Sequence, residues 1–145
     1  MPSAIVPPCG LRSVGLPLST QKIRARNRMN VYLKTAAILL LVDIFWLSTG
    51  GIYARAMTER IQGEAVSFRY VGAVVVYLAL AYLLLETSSY RQAFFHGMAI
   101  YAIYDFTNYA LFEKYDWKFA LADTLWGGIL FVCARYLLKN NVFLQ

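Results

Sequence analysis

The sequence has few of the residues that build metal centres and disulfide frameworks, with two cysteines and one histidine in 145 residues. Cys9 lies near the N-terminus and Cys133 inside an apolar block, so no disulfide framework is suggested. Cys133 is expected to pack as a small apolar residue. No Cys or His pair has the spacing of a metal site, and His96 cannot build one alone. Neither a metal nor another cofactor is expected. Proline is missing beyond Pro17, because Pro2, Pro7, Pro8 and Pro17 are all four that exist. Acidic residues are missing from residues 1–28, which carry Arg12, Lys22, Arg24, Arg26 and Arg28. No apolar run follows these charges in the manner of a secretory signal. Three readings of residues 1–28 stay open: a basic, proline-containing disordered tail that touches anionic lipid, an organellar targeting extension, or a segment upstream of a start at Met29.

What the chain has in excess is apolar surface. It is 59% hydrophobic with a mean hydropathy of +0.49, above the roughly 45–50% apolar content of soluble domains. A core large enough to hide that excess does not fit in a chain of this length. The excess is gathered into four blocks, about Val31–Ile52, Arg69–Glu86, Ala93–Phe112 and Lys118–Leu138. Each is close to the ~20 residues that cross a hydrocarbon core of roughly 30 Å. The expected fold is an all-α, integral membrane four-helix bundle over residues 29–140. Residues 53–68 read as the longest loop, carrying a brief interfacial turn or helix. Short connections at 87–92 and 113–117 place consecutive helices antiparallel, in an up-down topology.

Lys and Arg counts set the orientation. With the N-terminus inside, that side holds Arg12, Lys22, Arg24, Arg26, Arg28, Lys34, Arg91, Arg135 and Lys139, nine of the fourteen basic residues. Both termini are therefore expected in the cytoplasm, in a multi-pass arrangement. The formal net charge of +6 does not signal nucleic-acid binding. Five of the positive charges sit in the tail beside the lipid bilayer, where anionic lipid head groups attract each by about 1 kcal/mol.

The polar exceptions inside the blocks carry the functional information. Asp43, Asp105 and Asp123 each interrupt an apolar segment, and an ionised carboxylate at the bilayer centre costs at least ~2.5–3.5 kcal/mol. At ~1.5 Å per residue, Asp43 and Asp105 lie about 18 Å and Asp123 about 22 Å above the cytoplasmic side. The three carboxyls are thus expected in one layer. Helix 1 reads Leu41-Val42-Asp43-Ile44-Phe45-Trp46 and helix 4 reads Leu121-Ala122-Asp123-Thr124-Leu125-Trp126, both L-x-D-x-x-W. Glycine pairs follow, Gly50-Gly51 and Gly127-Gly128. In antiparallel helices Asp43 comes level with Trp126 and Asp123 with Trp46. Each indole N–H is expected to donate to the opposite carboxylate, the glycines letting the two backbones approach. In helix 3, Tyr101, Tyr104, Asp105 and Asn108 form one stripe. Helix 2 shows no such residue and reads as lipid-facing support.

These residues resemble a known family. Met29-Asn30-Val31-Tyr32-Leu33-Lys34 and Asp43-Ile44-Phe45-Trp46-Leu47 are similar to segments of domain of unknown function 2177, predicted small membrane proteins with four helices. Tyr101-Ala102-Ile103-Tyr104-Asp105-Phe106-Thr107-Asn108-Tyr109-Ala110 is similar to its Y-A-T-Y-D-L-T-N-x-A, and Asp123-Thr124-Leu125-Trp126-Gly127-Gly128 to its D-x-x-W-G-T. Ile103, Phe106 and Gly128 depart from that pattern, and two hydroxyls are lost with them. The resemblance implies the architecture and carries no activity.

Three functions compete. The acidic and aromatic site (Asp43, Trp46, Tyr101, Tyr104, Asp105, Asn108, Asp123, Trp126) binds or moves a proton, a cation or a small solute. One bundle has little room for a pathway, so movement across the bilayer would need a homodimer. Alternatively the chain is a membrane-embedded enzyme of lipid modification, or a subunit of one, although no activated nucleophile is visible. In the third reading it is a structural or assembly protein whose polar layer only fixes helix packing. Three acids with no basic partner in the membrane are a poor choice for glue alone, which favours a functional site over a purely structural layer.

Overall fold

The computed structural model describes residues 18–140, where four helices and no strand form. They are α1 (Leu18–Gln62), α2 (Tyr70–Leu85), α3 (Tyr90–Leu111) and α4 (Trp117–Lys139). The fold is all-α. Cys9 and the N-terminal prolines lie outside the described residues, and Cys133 is a free, half-buried thiol.

α1 is longer than its apolar block in both directions. No proline or glycine stands between Leu18 and Thr49, so nothing halts helix propagation there. Helix therefore covers Leu18–Arg28, where a disordered tail was expected. Residues 53–62 were expected to begin a loop, yet they continue the same helix. Their composition of Ala, Arg, Met, Glu and Gln favours helix, and an Arg55–Glu59 pair at 3.0 Å adds an i,i+4 contact. Met57 is buried against Tyr115 and Ala120, with Ile61 and Phe119 packed around them. Gly63 then ends α1 in the left-handed region (φ 77°), its N–H bonded to the Glu59 carbonyl at 2.9 Å. The 45 residues of α1 measure about 68 Å end to end.

The other ends have local causes. Ser89 caps α3 by accepting the Gln92 N–H at 3.1 Å, and the Gln92 side chain accepts the Ser88 N–H at 2.7 Å. Asp116 caps α4 by accepting the Lys118 N–H at 2.8 Å. Its other oxygen accepts the Tyr53 hydroxyl at 2.6 Å, which fastens the end of α1 to the start of α4.

α3 and α4 pack along their length, α1 packs on α2 and α4, and α2 touches α3 only sparsely. A central cluster takes Leu39 from α1, Leu84 from α2, Ala93 from α3 and Phe131 from α4. The α3–α4 contact depends on glycine. A Cβ on Gly127 would stand 2.7 Å from the Gly97 carbonyl oxygen, and one on Gly97 would overlap the Gly127 carbonyl. The Gly127-Gly128 pair thus serves α3, not the α1–α4 approach expected for it. Gly50 makes room for the Trp46 ring of its own helix, 2.7 Å from where a Cβ would be.

Many apolar side chains face outward, with Val71 79% and Ile103 70% exposed. In α2 only Leu80, Ala81 and Leu84 are buried. Two helices, α1 and α4, are long and apolar enough to cross a membrane, and α2 is apolar but only 16 residues long.

Two outcomes test this packing. Gly97→Ala should lower the stability of the detergent-solubilised protein by about 1–3 kcal/mol through overpacking. Gly72→Ala, which meets open space in α2, should leave it unchanged or raise it by about 0.5–1 kcal/mol; thermal unfolding distinguishes them. The second concerns Asp116, whose carboxyl is held below the ordinary range first by the Tyr53 hydroxyl and then by the Lys118 N–H. A depressed folded pKa gives stability that is complete above the unfolded value near about 4 and is lost as pH falls through the folded value. Tyr53→Phe should therefore lose less stability than the parent chain between pH 7 and strongly acid solution, as read by thermal unfolding.

Candidate functional site

Asp43 is the best satisfied of the three membrane acids. It stands near the middle of α1 and is 5% exposed. Trp126 of α4 donates its indole N–H to Oδ1 at 2.7 Å, and Tyr77 of α2 donates its hydroxyl to Oδ2 at 2.7 Å. Each carboxylate oxygen thus has a donor from a different helix, and the three helices meet on one side chain. The mirror-image pair is looser: Trp46 stands beside the Asp123 carboxyl as a donor, without the close, aligned geometry of Trp126 on Asp43. Instead the two indoles stack on each other, centroids 5.4 Å apart and 12° from parallel. Phe119 stacks on the far side of Trp46 at 6.4 Å, and Phe45 leans on Trp126 at 5.7 Å. This aromatic pile is built from α1 and α4, and two of its rings, Trp126 and Trp46, are the donors to Asp43 and Asp123.

Asp105 is fully buried, and its Oδ1 accepts the Tyr115 hydroxyl at 2.6 Å. Tyr115 lies in the connection between α3 and α4. Burial first, and the bond to Asp105 second, push its phenol above the ordinary range, so it stays a donor. Among the described residues Asp105 Oδ2 has no partner. Neither has Asp123 Oδ1, nor the Thr124 hydroxyl beside it. Thr35, Thr49 and Thr58 all bond back to the carbonyl four residues earlier, as helical threonines do. Thr124 does not.

Asp123 is within electrostatic reach of both Asp105 and Asp43. Tyr101, half-buried on α3, is within reach of all three acids and of Tyr77. The Tyr101 ring itself occupies the space that a Cβ on Gly127 would need. The α3 stripe divides here. Tyr101 and Asp105 turn inward, whereas Tyr104 is 66% exposed and Asn108 makes no side-chain hydrogen bond among the described residues. A crevice of about 420 Å³ opens between α2 and α3. Val76, Ala79, Leu80 and Leu83 form one wall, Ile100, Tyr101 and Tyr104 the other, and Asp123 lies at its floor.

A family model described as "Predicted membrane protein (DUF2177)" matches residues 28–137. The chain belongs to that family. The match takes in every residue of the acidic layer together with all of α2 and α3. No curated protein and no solved structure matches the chain. This DUF2177 member thus belongs to a family of predicted membrane proteins, and the description names no activity.

Three contributors were missed by the sequence reading. Tyr77 is the first, and it corrects the view of α2 as mere support, since α2 supplies a hydrogen bond to the acidic layer. The position of Tyr77 at the middle of α2, with Tyr70 and Tyr82 nearer its ends, was the available signal, because a buried Tyr O–H seeks a partner. Tyr115 lies outside the apolar blocks and is folded back by the connection, which periodicity does not show. Thr124 sits beside Asp123 within the L-x-D-x-x-W segment itself.

Removing the Tyr77 hydroxyl should therefore leave Asp43 Oδ2 without a donor. Interhelical hydrogen bonds in membranes average ~0.6 and reach ~1.7 kcal/mol. Tyr77→Phe should fall at the upper end, about 1–2 kcal/mol, whereas Tyr82→Phe, exposed and without a hydrogen bond, should cost almost nothing. Unfolding by denaturing detergent measures both.

Proposed function

We propose that the chain crosses the membrane four times as an antiparallel up-down bundle with both termini in the cytoplasm, and that its acidic layer exchanges a proton. The outward apolar side chains of all four helices support four crossings, because a water-soluble protein rarely exposes so continuous an apolar surface. The short connections at 86–89 and 112–116 support antiparallel neighbours. The basic residues on the side of the termini support the orientation.

The observation that carries the functional reading is the contrast among the three acids. Asp43 has both oxygens satisfied and serves to pair helices. Asp105 Oδ2, Asp123 Oδ1 and the Thr124 hydroxyl are buried without partners. Native proteins seldom leave such atoms unpaired, since each costs roughly 1–3 kcal/mol. Cover without donors suits groups that take up and release a proton. Among the described residues no three His, Cys, Asp or Glu side chains come together as a metal site, so a proton or an organic cation fits better than a metal ion. Passage across the whole bilayer then needs a second copy, because Asp105 is sealed within one bundle.

The test is proton flux in proteoliposomes loaded with a pH-sensitive dye. The parent chain should dissipate an imposed pH gradient faster than empty vesicles. Asp105→Asn and Asp123→Asn, near-isosteric changes verified as folded by circular dichroism, should return the rate to background. A parent chain no faster than empty vesicles, or an Asn double variant as fast as the parent, removes the reading.

A further inference from the structure

We infer that the crevice between α2 and α3 is a binding site for a lipophilic ammonium ion, an amphiphile whose cationic head rests on Asp123 and whose tail lies along α2. This deepens the reading of Asp123 as a functional acid and rests on it. Four observations point the same way. The crevice holds about 420 Å³, within the ~300–1,000 Å³ of small-molecule sites. Its walls are apolar apart from two phenols, and a single carboxyl forms its floor. Among the described residues no basic side chain lines it, and Asp123 is its one acidic residue. The seam that admits an occupant is a loose one, because α2 touches α3 only sparsely.

Charge complementarity selects the occupant. A lipid tail alone would fill the aliphatic wall of Val76, Ala79 and Leu83, but would leave the Asp123 charge without a counter-charge. A fatty acid would bring a second carboxylate to the first. A neutral alcohol satisfies one oxygen and no charge. An ammonium head supplies a charge-assisted hydrogen bond to the carboxyl. Tyr101 and Tyr104 flank the same floor, and a cation beside aromatic faces gains further attraction in a water-poor site. Asp123 Oδ1 is buried without a donor among the described residues, so the carboxyl does not already hold a full set of hydrogen bonds. Entry is lateral, from the bilayer, through the sparse α2–α3 contact that the crevice occupies.

Thermal unfolding of the intact chain in a neutral maltoside detergent tests the site, with dodecylammonium, 1-dodecanol and dodecanoate added in turn. Dodecylammonium should raise the midpoint in a saturable manner, with an apparent affinity at least about tenfold above that of dodecanol. Dodecanoate should produce no shift. Asp123→Asn should erase the preference for the amine over the alcohol. Ala79→Phe, placed at an exposed position where an added ring fills the groove, should weaken all binding, and it keeps the test informative should the Asn variant unfold. Equal binding of amine and alcohol, preference for dodecanoate, persistence of the amine preference in Asp123→Asn, or no shift with any probe each overturns the inference. Proton flux separates the two claims: flux that depends on Asp123 without amine binding leaves the proton reading standing alone, and absence of both removes both.

Discussion

One buried carboxylate holds three of the four helices in register. Asp43 sits in an apolar layer where an unpaired charge is far more costly than in water. Trp126 and Tyr77 relieve that cost from two different helices, one donor to each oxygen. Displacing either helix by a turn would strip an oxygen of its donor. Nonpolar packing in a membrane resists such sliding weakly, because lipid tails are as apolar as the side chains they replace. The fourth helix is set by a different constraint, the near-contact of the Gly97 and Gly127 backbones, which tolerates no side chain at either position.

These two constraints shape the environment of the remaining acids. The α3–α4 contact buries Asp105, with Tyr115 on one of its oxygens. The α1–α4 contact brings the indole stack over Asp123 without giving its Oδ1 a partner. One residue type thus appears in three states: fully donated, half donated, and facing a crevice. A purely structural polar layer would be expected to satisfy all of its members, since partly satisfied networks are costly.

The apolar blocks and the three acids were legible in the sequence because both depend on composition and on 3.6-residue spacing. The Trp126–Asp43 bond was legible as well, since it follows from the register of two matching segments. The rest depended on rotation and on chain ends, which spacing does not settle. The face shared by Tyr101 and Asp105 stops short of Tyr104, because neighbours 100° apart on a helix divide between interior and surface. The glycine pair after Trp126 signalled close approach correctly, but not that the approaching helix would be α3. The extension of α1 past Ile52 follows from Met57 and Ile61 finding a buried pocket under Tyr115, a tertiary contact with no local signature. Membership of the DUF2177 family agrees with the apolar blocks and leaves the chemistry to these side-chain details.

The length of α1 has a mechanical consequence. A straight rod of about 68 Å set in a hydrocarbon layer of roughly 30 Å projects into water on at least one side. Its C-terminal end is pinned to the α4 cap through Tyr53 and Asp116 and is buried at Met57. Its middle is held as well, by the two donors on Asp43, so α1 is fixed at two levels against its neighbours. The acid cannot slide along the helix axis without loosening the C-terminal contact too.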